Sequence, residues 1–294
     1  MTKPEWLTIQ YEQTNEFVNL KDIIKQNKLH TVCEEAHCPN KTECWNDSTA
    51  TFMVLGDTCT RACKFCAVKT AFPAPPVDLS EPANLALAVK QIRLEYVVIT
   101  SVDRDDLKDQ GAGHFAECIS AIKRETNGKT IVEVLTPDFR GSRECVEKIV
   151  KAGPDVFAHN IETVKRLQHP TRDPRAGYEQ SLSVLKAVKE INPKVFTKSG
   201  MMLGLGEQDE EVLQAMQDLL AVGVDFLTLG QYLRPASDWY LPVTEYVTPE
   251  KFVWFREQGE KLGFKYVAAG PFVRSSYKAK ENFVKSLIER EKHA

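Results

Sequence analysis

Hydrophobic positions recur along this chain in short runs separated by longer amphipathic stretches. Apolar or β-branched blocks fall at 51–55, 96–100, 131–135, 156–160, 195–199, 226–229 and 266–269. Short blocks of this kind predict strands buried on both faces, as in a parallel sheet. Between most of them the spacing changes to the helical period. Residues 207–221 bring Val212, Leu213, Met216, Leu219 and Leu220 close to one face. Residues 82–93 predict another helix with Ser80 as its cap. Thr248-Pro249-Glu250 is a start signal, a capping threonine followed by a first-turn proline. Strand–helix alternation over residues 50–272 predicts an α/β fold whose parallel sheet closes fully or partly into a barrel. Ahead of it, Phe17, Leu20, Ile23 and Ile24 share a helical face, which predicts a packed N-terminal arm with a short helix.

Composition narrows the class. The chain has 294 residues, 43% hydrophobic and 27% charged, with a formal net charge of −3. That length suits one large domain with extensions or two small ones. The balance is not that of a nucleic-acid binder, which is usually basic. No apolar run reaches membrane-spanning length, and Met1 to Trp6 has no apolar signal core, so a cytoplasmic protein is expected. Cysteine changes the picture most. Six of the eight cysteines fall between Cys33 and Cys66, and in a cytosolic chain such a cluster favours metal binding over disulfides.

The denser group reads Cys59-Thr60-Arg61-Ala62-Cys63-Lys64-Phe65-Cys66, a C-x3-C-x2-C spacing. Thiolates suit zinc and iron–sulfur clusters. Three of them can grip three irons of a four-iron cluster and leave one iron open to a ligand. Phe65 is placed to cover such a cluster or flank an adenine. The second group, Cys33, Cys38 and Cys44, has C-x4-C-x5-C spacing, again one ligand short of a cluster. Zinc sites usually match one C-x2-C pair with a second, and no second pair accompanies Cys63 and Cys66. A structural zinc protein and a two-cluster electron carrier without catalysis are the rival readings; the carrier predicts four cysteines per cluster.

The two spacings together resemble the lipoyl synthase family of the radical S-adenosylmethionine superfamily. Further similar stretches are Thr100 to Leu107, Ala158 to Thr163, Arg172 to Ala176 and Arg274-Ser275-Ser276-Tyr277. The resemblance implies a partial (β/α)6 barrel at residues 49–272, an N-terminal extension at 1–48 with auxiliary cluster ligands, and a C-terminal tail at 273–294. It implies two 4Fe-4S clusters and S-adenosylmethionine. Cys59, Cys63 and Cys66 would hold the catalytic cluster, and Cys33, Cys38 and Cys44 with Ser276 the auxiliary one. The implied reaction is radical insertion of two sulfur atoms, drawn from the auxiliary cluster, at C6 and C8 of an octanoyl chain on a lipoyl carrier domain. That carrier belongs to a 2-oxoacid dehydrogenase or is the glycine cleavage H protein; reduced flavodoxin or ferredoxin donates electrons. The chemistry is the cofactors' own, so no catalytic side chain is expected. A methylthiotransferase is the nearest enzymatic rival, but it usually carries an added RNA-recognition domain. A monomer is expected.

Other residues are placed for cofactor or substrate. Thr100, Ser101 and Asp103 follow the second strand, where they can bind an ammonium group; a plain polar loop is the alternative. Gly204 and Glu207 fall in a glycine-rich stretch, 200–207, that resembles a superfamily pattern and is expected as a loop after the fifth strand. Asn160 and Lys198 are expected near the ends of the fourth and fifth strands, within reach of cofactor, though each also fits a structural role. Arg172 and Arg175 lie in a long loop, solvated or steering an acidic partner. Cys118 and Cys145 sit among apolar helical positions and read as core thiols.

Overall fold

The computed structural model describes residues 2–8, 12–235, 238–276, 285, 286 and 288. The N-terminal arm begins with α1 (Asn15–Gln26), whose Phe17, Leu20, Ile23 and Ile24 are all buried. Thr14 starts it by accepting the Phe17 N–H and is itself fixed by Asn46. Asn46 ends α3 (Lys41–Asn46), which follows the single turn α2 (Val32–Glu35). Phe17 packs on the fully buried Trp45 of α3, ring centroids 5.0 Å apart. These side chains belong to the same apolar core as the strands that follow. Each large side chain taken from water contributes on the order of 2 kcal/mol, so the arm is an integral layer of the fold.

Among the described residues the main sheet has eight strands in chain order. Short β1 (His30–Thr31) runs antiparallel to β2 (Thr51–Val54). Then come β3 (Tyr96–Ser101), β4 (Ile131–Leu135), β5 (Val156–Ala158), β6 (Phe196–Leu203), β7 (Phe226–Gln231) and β8 (Tyr266–Gly270), each parallel to its predecessor. The crossovers are α4 (Glu81–Ile92), α5 (Ala112–Glu125), α6 (Arg143–Lys151), α7 (Tyr178–Ile191), α8 (Asp209–Ala221) and α9 (Pro249–Leu262). Six strand–helix units, finished by β8, make the partial barrel; among the described residues β2 and β8 do not pair, so it stays open. Thr248 caps α9 through the Lys251 N–H and Gly263 ends it in a left-handed turn. No helix among the described residues is long and apolar enough to cross a membrane.

Strand alternation sorts the side chains. Val97, Ile99, Val132, Val134 and Phe157 face the helices in the outer core. Tyr96, Val98, Ile131, Val156, Phe196 and Phe226 fill the other side, with Ile288 packed against them. The sequence reading is corrected at β6. The strand runs on to Leu203, so Gly200 to Met202 are strand and not loop. Only Gly204 to Glu207 turn. Gly204 has a φ of +100°, and a Cβ there would lie 2.3 Å from Gln231 Nε2 and 2.4 Å from the Glu245 carbonyl.

A candidate cysteine-lined active site

At the C-terminal ends of the strands lies a cavity of about 680 Å³. Both cysteine triplets line it: Cys33, Cys38 and Cys44 from the N-terminal layer, and Cys59, Cys63 and Cys66 from the loop after β2. Phe65, Thr100, Ser101, Asp103, Asn160 and Ser276 line it too. The tail reaches the cavity because β7 has no side chain at Gly230. A Cβ there would lie 2.0 Å from the Val273 carbonyl oxygen. Asn40, between Cys38 and Cys44, donates to the Phe272 carbonyl at 2.7 Å and fastens the tail to the N-terminal layer. Arg274 lies beside Cys38; burial lowers its pKa and the Cys38 charge opposes that. Tyr277 lies outside the described residues.

Burial raises the pKa of all six thiols. Cys33 and Cys66 are pushed up to about 11, Cys44 and Cys63 to about 12. Cys59 goes higher, with the Asp103 charge adding to its burial, and Cys38 is also raised. Such thiols hold their protons until a soft cation displaces them. Backbone N–H groups are aimed at several of the sulfurs. Those of Arg61 and Asp103 lie 3.4 Å from Cys59 Sγ, and that of Asp173 lies 3.3 Å from Cys63 Sγ.

Among the described residues, the lining also holds buried polar atoms with no hydrogen-bond partner: Asn40 Oδ1, Ser101 Oγ and Asn160 Oδ1. Buried polar atoms are normally paired, so this lining fits a polar ligand alongside a thiolate-bound metal. Among the described residues, neither triplet brings its three sulfurs within 4.8 Å of one another. Sulfurs sharing one tetrahedral zinc lie only ~3.8 Å apart, at bonds of ~2.3 Å. Glu81, His114 and Cys118 do meet that limit. Within that group Glu81 Oε2 accepts the Leu55 N–H at 2.8 Å and lies 2.7 Å from His114 Nε2.

Three residues expected at the cofactor lie elsewhere. Lys198 is not in the lining. It sits two residues below Gly200 on β6, its ammonium 2.7 Å from Glu133 Oε1 inside the barrel. Tyr96 donates to the other Glu133 oxygen at 2.5 Å. A buried lysine takes the nearest carboxylate, and β4 supplies it one layer below the cavity. Glu207 folds back to accept the N–H groups of Gly204 and Leu205 at 2.5 and 3.0 Å, so both Gly204 and Glu207 shape the turn.

Arg172 and Arg175 are not solvated steering groups. Arg172 is buried on Gln168 and Ser181, and Arg175 grips Asp173. Burial raises Asp103, to about 6, against the lowering effect of Arg61. Burial also pushes Asp138 up, but Arg61 and His159 outweigh it and hold the carboxyl below its ordinary range. Glu162, in the lining, is raised by burial. Arg61, Asp138, His159, Glu162 and Arg234 also line the cavity, a place that the sequence pattern does not give them. Arg61 had a signal, since a charge between two cysteines of a loop must be solvated or paired. The others became neighbours only through folding.

Comparison with known proteins fixes the class. The profile of the Radical SAM superfamily matches residues 53–219, and the chain belongs to that superfamily. Solved structures similar in fold include the FeFe-hydrogenase maturase HydG from Carboxydothermus hydrogenoformans, with TM-score 0.57 and 13% identity over 80% of this chain and 65% of that one. Methylornithine synthase (PylB) matches with TM-score 0.51 and 12% identity over 96% of this chain and 93% of its own. Within the superfamily the chain is a member of the lipoyl synthase family. It is 56% identical to Lipoyl synthase 1, chloroplastic, of Populus trichocarpa, over 98% of this chain and 77% of the relative. It is 55% identical to the lipoyl synthase of Anaeromyxobacter sp., over 97% and 96% respectively.

Proposed function

We propose that this enzyme replaces one hydrogen at C6 and one at C8 of an octanoyl chain with sulfur, the chain being held in amide linkage on a lysine of a lipoyl carrier domain. Superfamily membership implies a 4Fe-4S cluster and S-adenosylmethionine. A second 4Fe-4S cluster belongs to the proposal. In this reading Cys59, Cys63 and Cys66 hold the first cluster, and Cys33, Cys38, Cys44 and Ser276 hold the second. Bound there, the clusters and S-adenosylmethionine supply an electron, a primary carbon radical and sulfide.

One observation carries the reading: both cysteine triplets and Ser276 line a single cavity. Two separate electron-transfer centres would not need a shared chamber. The chain's own residues position and enclose. Thr100, Ser101, Asp103 and Asn160 offer polar atoms to the amino-acid and ribose ends of the cofactor, and Phe65 a flat face. Tyr232, Leu233 and the 273–276 tail wall off the chamber and limit water, which protects a reactive intermediate from side reactions. The carrier belongs to a 2-oxoacid dehydrogenase or is the glycine cleavage H protein, and reduced flavodoxin or ferredoxin is the donor. We assign a monomer in the cytoplasm.

The test is an anaerobic single turnover with an octanoylated carrier peptide, reductant and S-adenosylmethionine, read by mass. Wild type should add two sulfurs. A Cys33→Ala/Cys38→Ala/Cys44→Ala variant should still cleave S-adenosylmethionine but leave the peptide unthiolated. Sulfur insertion by that variant without added sulfide would sink the donor role of the N-terminal triplet.

A further inference from the structure

The loop between Cys59 and Cys63 is clamped by a side chain of its own. Arg61 is buried, and its guanidinium meets three carboxylates from two other loops. Nε and Nη2 fork onto Asp105 at 2.8 and 2.9 Å, and Nη1 donates to Asp138 Oδ1 at 2.8 Å. Nε also lies 3.2 Å from Asp103 Oδ1. Asp103 and Asp105 follow β3; Asp138 follows β4. From the loop after β5, Arg175 donates to the Thr60 carbonyl at 2.7 Å, and Asp173 accepts the Ala62 N–H at 3.0 Å. Residues 60, 61 and 62 are thus each tied to a different neighbour.

Charge points the same way. Arg61, Arg172 and Arg175 face Asp103, Asp105, Asp138 and Asp173, three cations against four carboxylates. Without Arg61 this buried group would carry two cations against four carboxylates, beside three thiols that must become thiolates to bind metal.

We propose that Arg61 is a positioning residue for the cluster assigned to Cys59, Cys63 and Cys66, a proposal that rests on that assignment. Its fork holds the loop in the metal-receiving shape, and its charge offsets the gathering of thiolates. A lysine keeps the charge but cannot fork onto Asp105. Shape and charge are therefore separable.

The experiment uses the full chain with Cys33, Cys38 and Cys44 changed to alanine, so that one cluster remains. Arg61→Lys, Arg61→Met and the charge-neutral pair Arg61→Met with Asp105→Asn are compared with that parent. Melting of the metal-free chain, rate of cluster assembly from iron and sulfide, and midpoint potential are measured. All three variants should load more slowly, by roughly 10- to 100-fold, as for other residues that orient metal ligands. Only Arg61→Met should have a lowered potential, because net charge is kept in the other two. The neutral pair should melt, metal-free, close to the parent. Loading of Arg61→Lys and the neutral pair at the parent rate overturns the proposal, as does an unchanged potential in Arg61→Met. A neutral pair that is unfolded without metal also overturns it, since Arg61 would then support the whole fold. A parent that binds no iron shows that the assignment of the Cys59 triplet is wrong, and the proposal falls with it.

Discussion

Lys198 separates the polar groups of the fold from those of the site. Lys198→Met removes the cation 2.7 Å from Glu133 and leaves that carboxylate inside the barrel with the Tyr96 hydroxyl as its remaining donor. Both partners are buried, at 8% and 1% exposure, so solvent cannot take over. Breaking a buried pair from one side costs about 3–5 kcal/mol, and the Tyr96 bond favours the lower end. One kcal/mol shifts Tm by about 2–4 °C in chains somewhat shorter than this; the expected drop is on the order of 5–10 °C. Adding Glu133→Gln removes the stranded charge and keeps an acceptor for Tyr96. The double variant should recover most of the loss, to within about 1–2 kcal/mol of wild type. Thermal and urea unfolding of the metal-free chain, followed by circular dichroism, measures both. The loaded double variant, held below its melting range, should cleave S-adenosylmethionine much as wild type does. A folded double variant that cannot cleave it would put Lys198 back at the cofactor. A single variant as stable as wild type would refute the energetics of the pair.

Ser276→Cys should retain the auxiliary cluster but release sulfide less readily, since thiolate binds iron–sulfur clusters more readily than a hydroxyl group does; quantifying thiolated peptide against 5′-deoxyadenosine reads this, and unchanged sulfur insertion contradicts the ligand role. Burial, with Arg172 adding to it, holds His159 at about 4, below its ordinary 6.5. The unfolded chain therefore binds the extra proton between those values, so stability is full above pH 6.5 and falls by about 3 kcal/mol as pH drops to 4. Asp103, raised to about 6, opposes this trend over part of the window; the difference between wild type and His159→Gln in urea titrations at several pH values isolates the histidine, and identical pH slopes refute its buried neutral state. Cys118→Ser and Cys145→Ser should leave cluster content unchanged and cost about 1–3 kcal/mol each where the hydroxyl is unpaired. The cost should be smaller at Cys145, whose Sγ already donates to the Asp109 carbonyl at 3.4 Å; loss of a cluster's worth of iron in either would mark a misassigned ligand.

Much of the architecture is written in local spacing. The β-branched blocks and the helical periods between them are enforced by burial of whole faces. The strands therefore form near where the pattern places them, and Phe17, Leu20, Ile23 and Ile24 turn inward together. The Cys59 loop is legible for the same reason, because its three thiols lie within eight residues of chain. The error at β6 is also physical. Glycines 200 and 204 look alike in sequence, but Gly200 continues a strand between Asn160 and Thr228 while Gly204 turns at positive φ.

What the sequence determined by itself, then, is whatever depends on neighbours a few residues away: element type, the inward faces and the two cysteine spacings. Tertiary structure alone decided which distant groups meet. Inward positions of one strand look equivalent in sequence, yet Lys198 falls one layer too low and finds Glu133, while Asn160 on the neighbouring chain segment reaches the cavity. Arg172 and Arg175 read as solvated, yet folding adds Ser181 and Asp138 around the one and Asp105 and Thr60 around the other, beyond their local partners Gln168 and Asp173. The tail meets the N-terminal layer because Gly230 leaves room for Val273 and Asn40 holds Phe272, contacts spanning more than two hundred residues in the latter case. Register, depth along a strand and loop-to-loop charge pairing are properties of the closed sheet, and a one-dimensional pattern carries no coordinate for them.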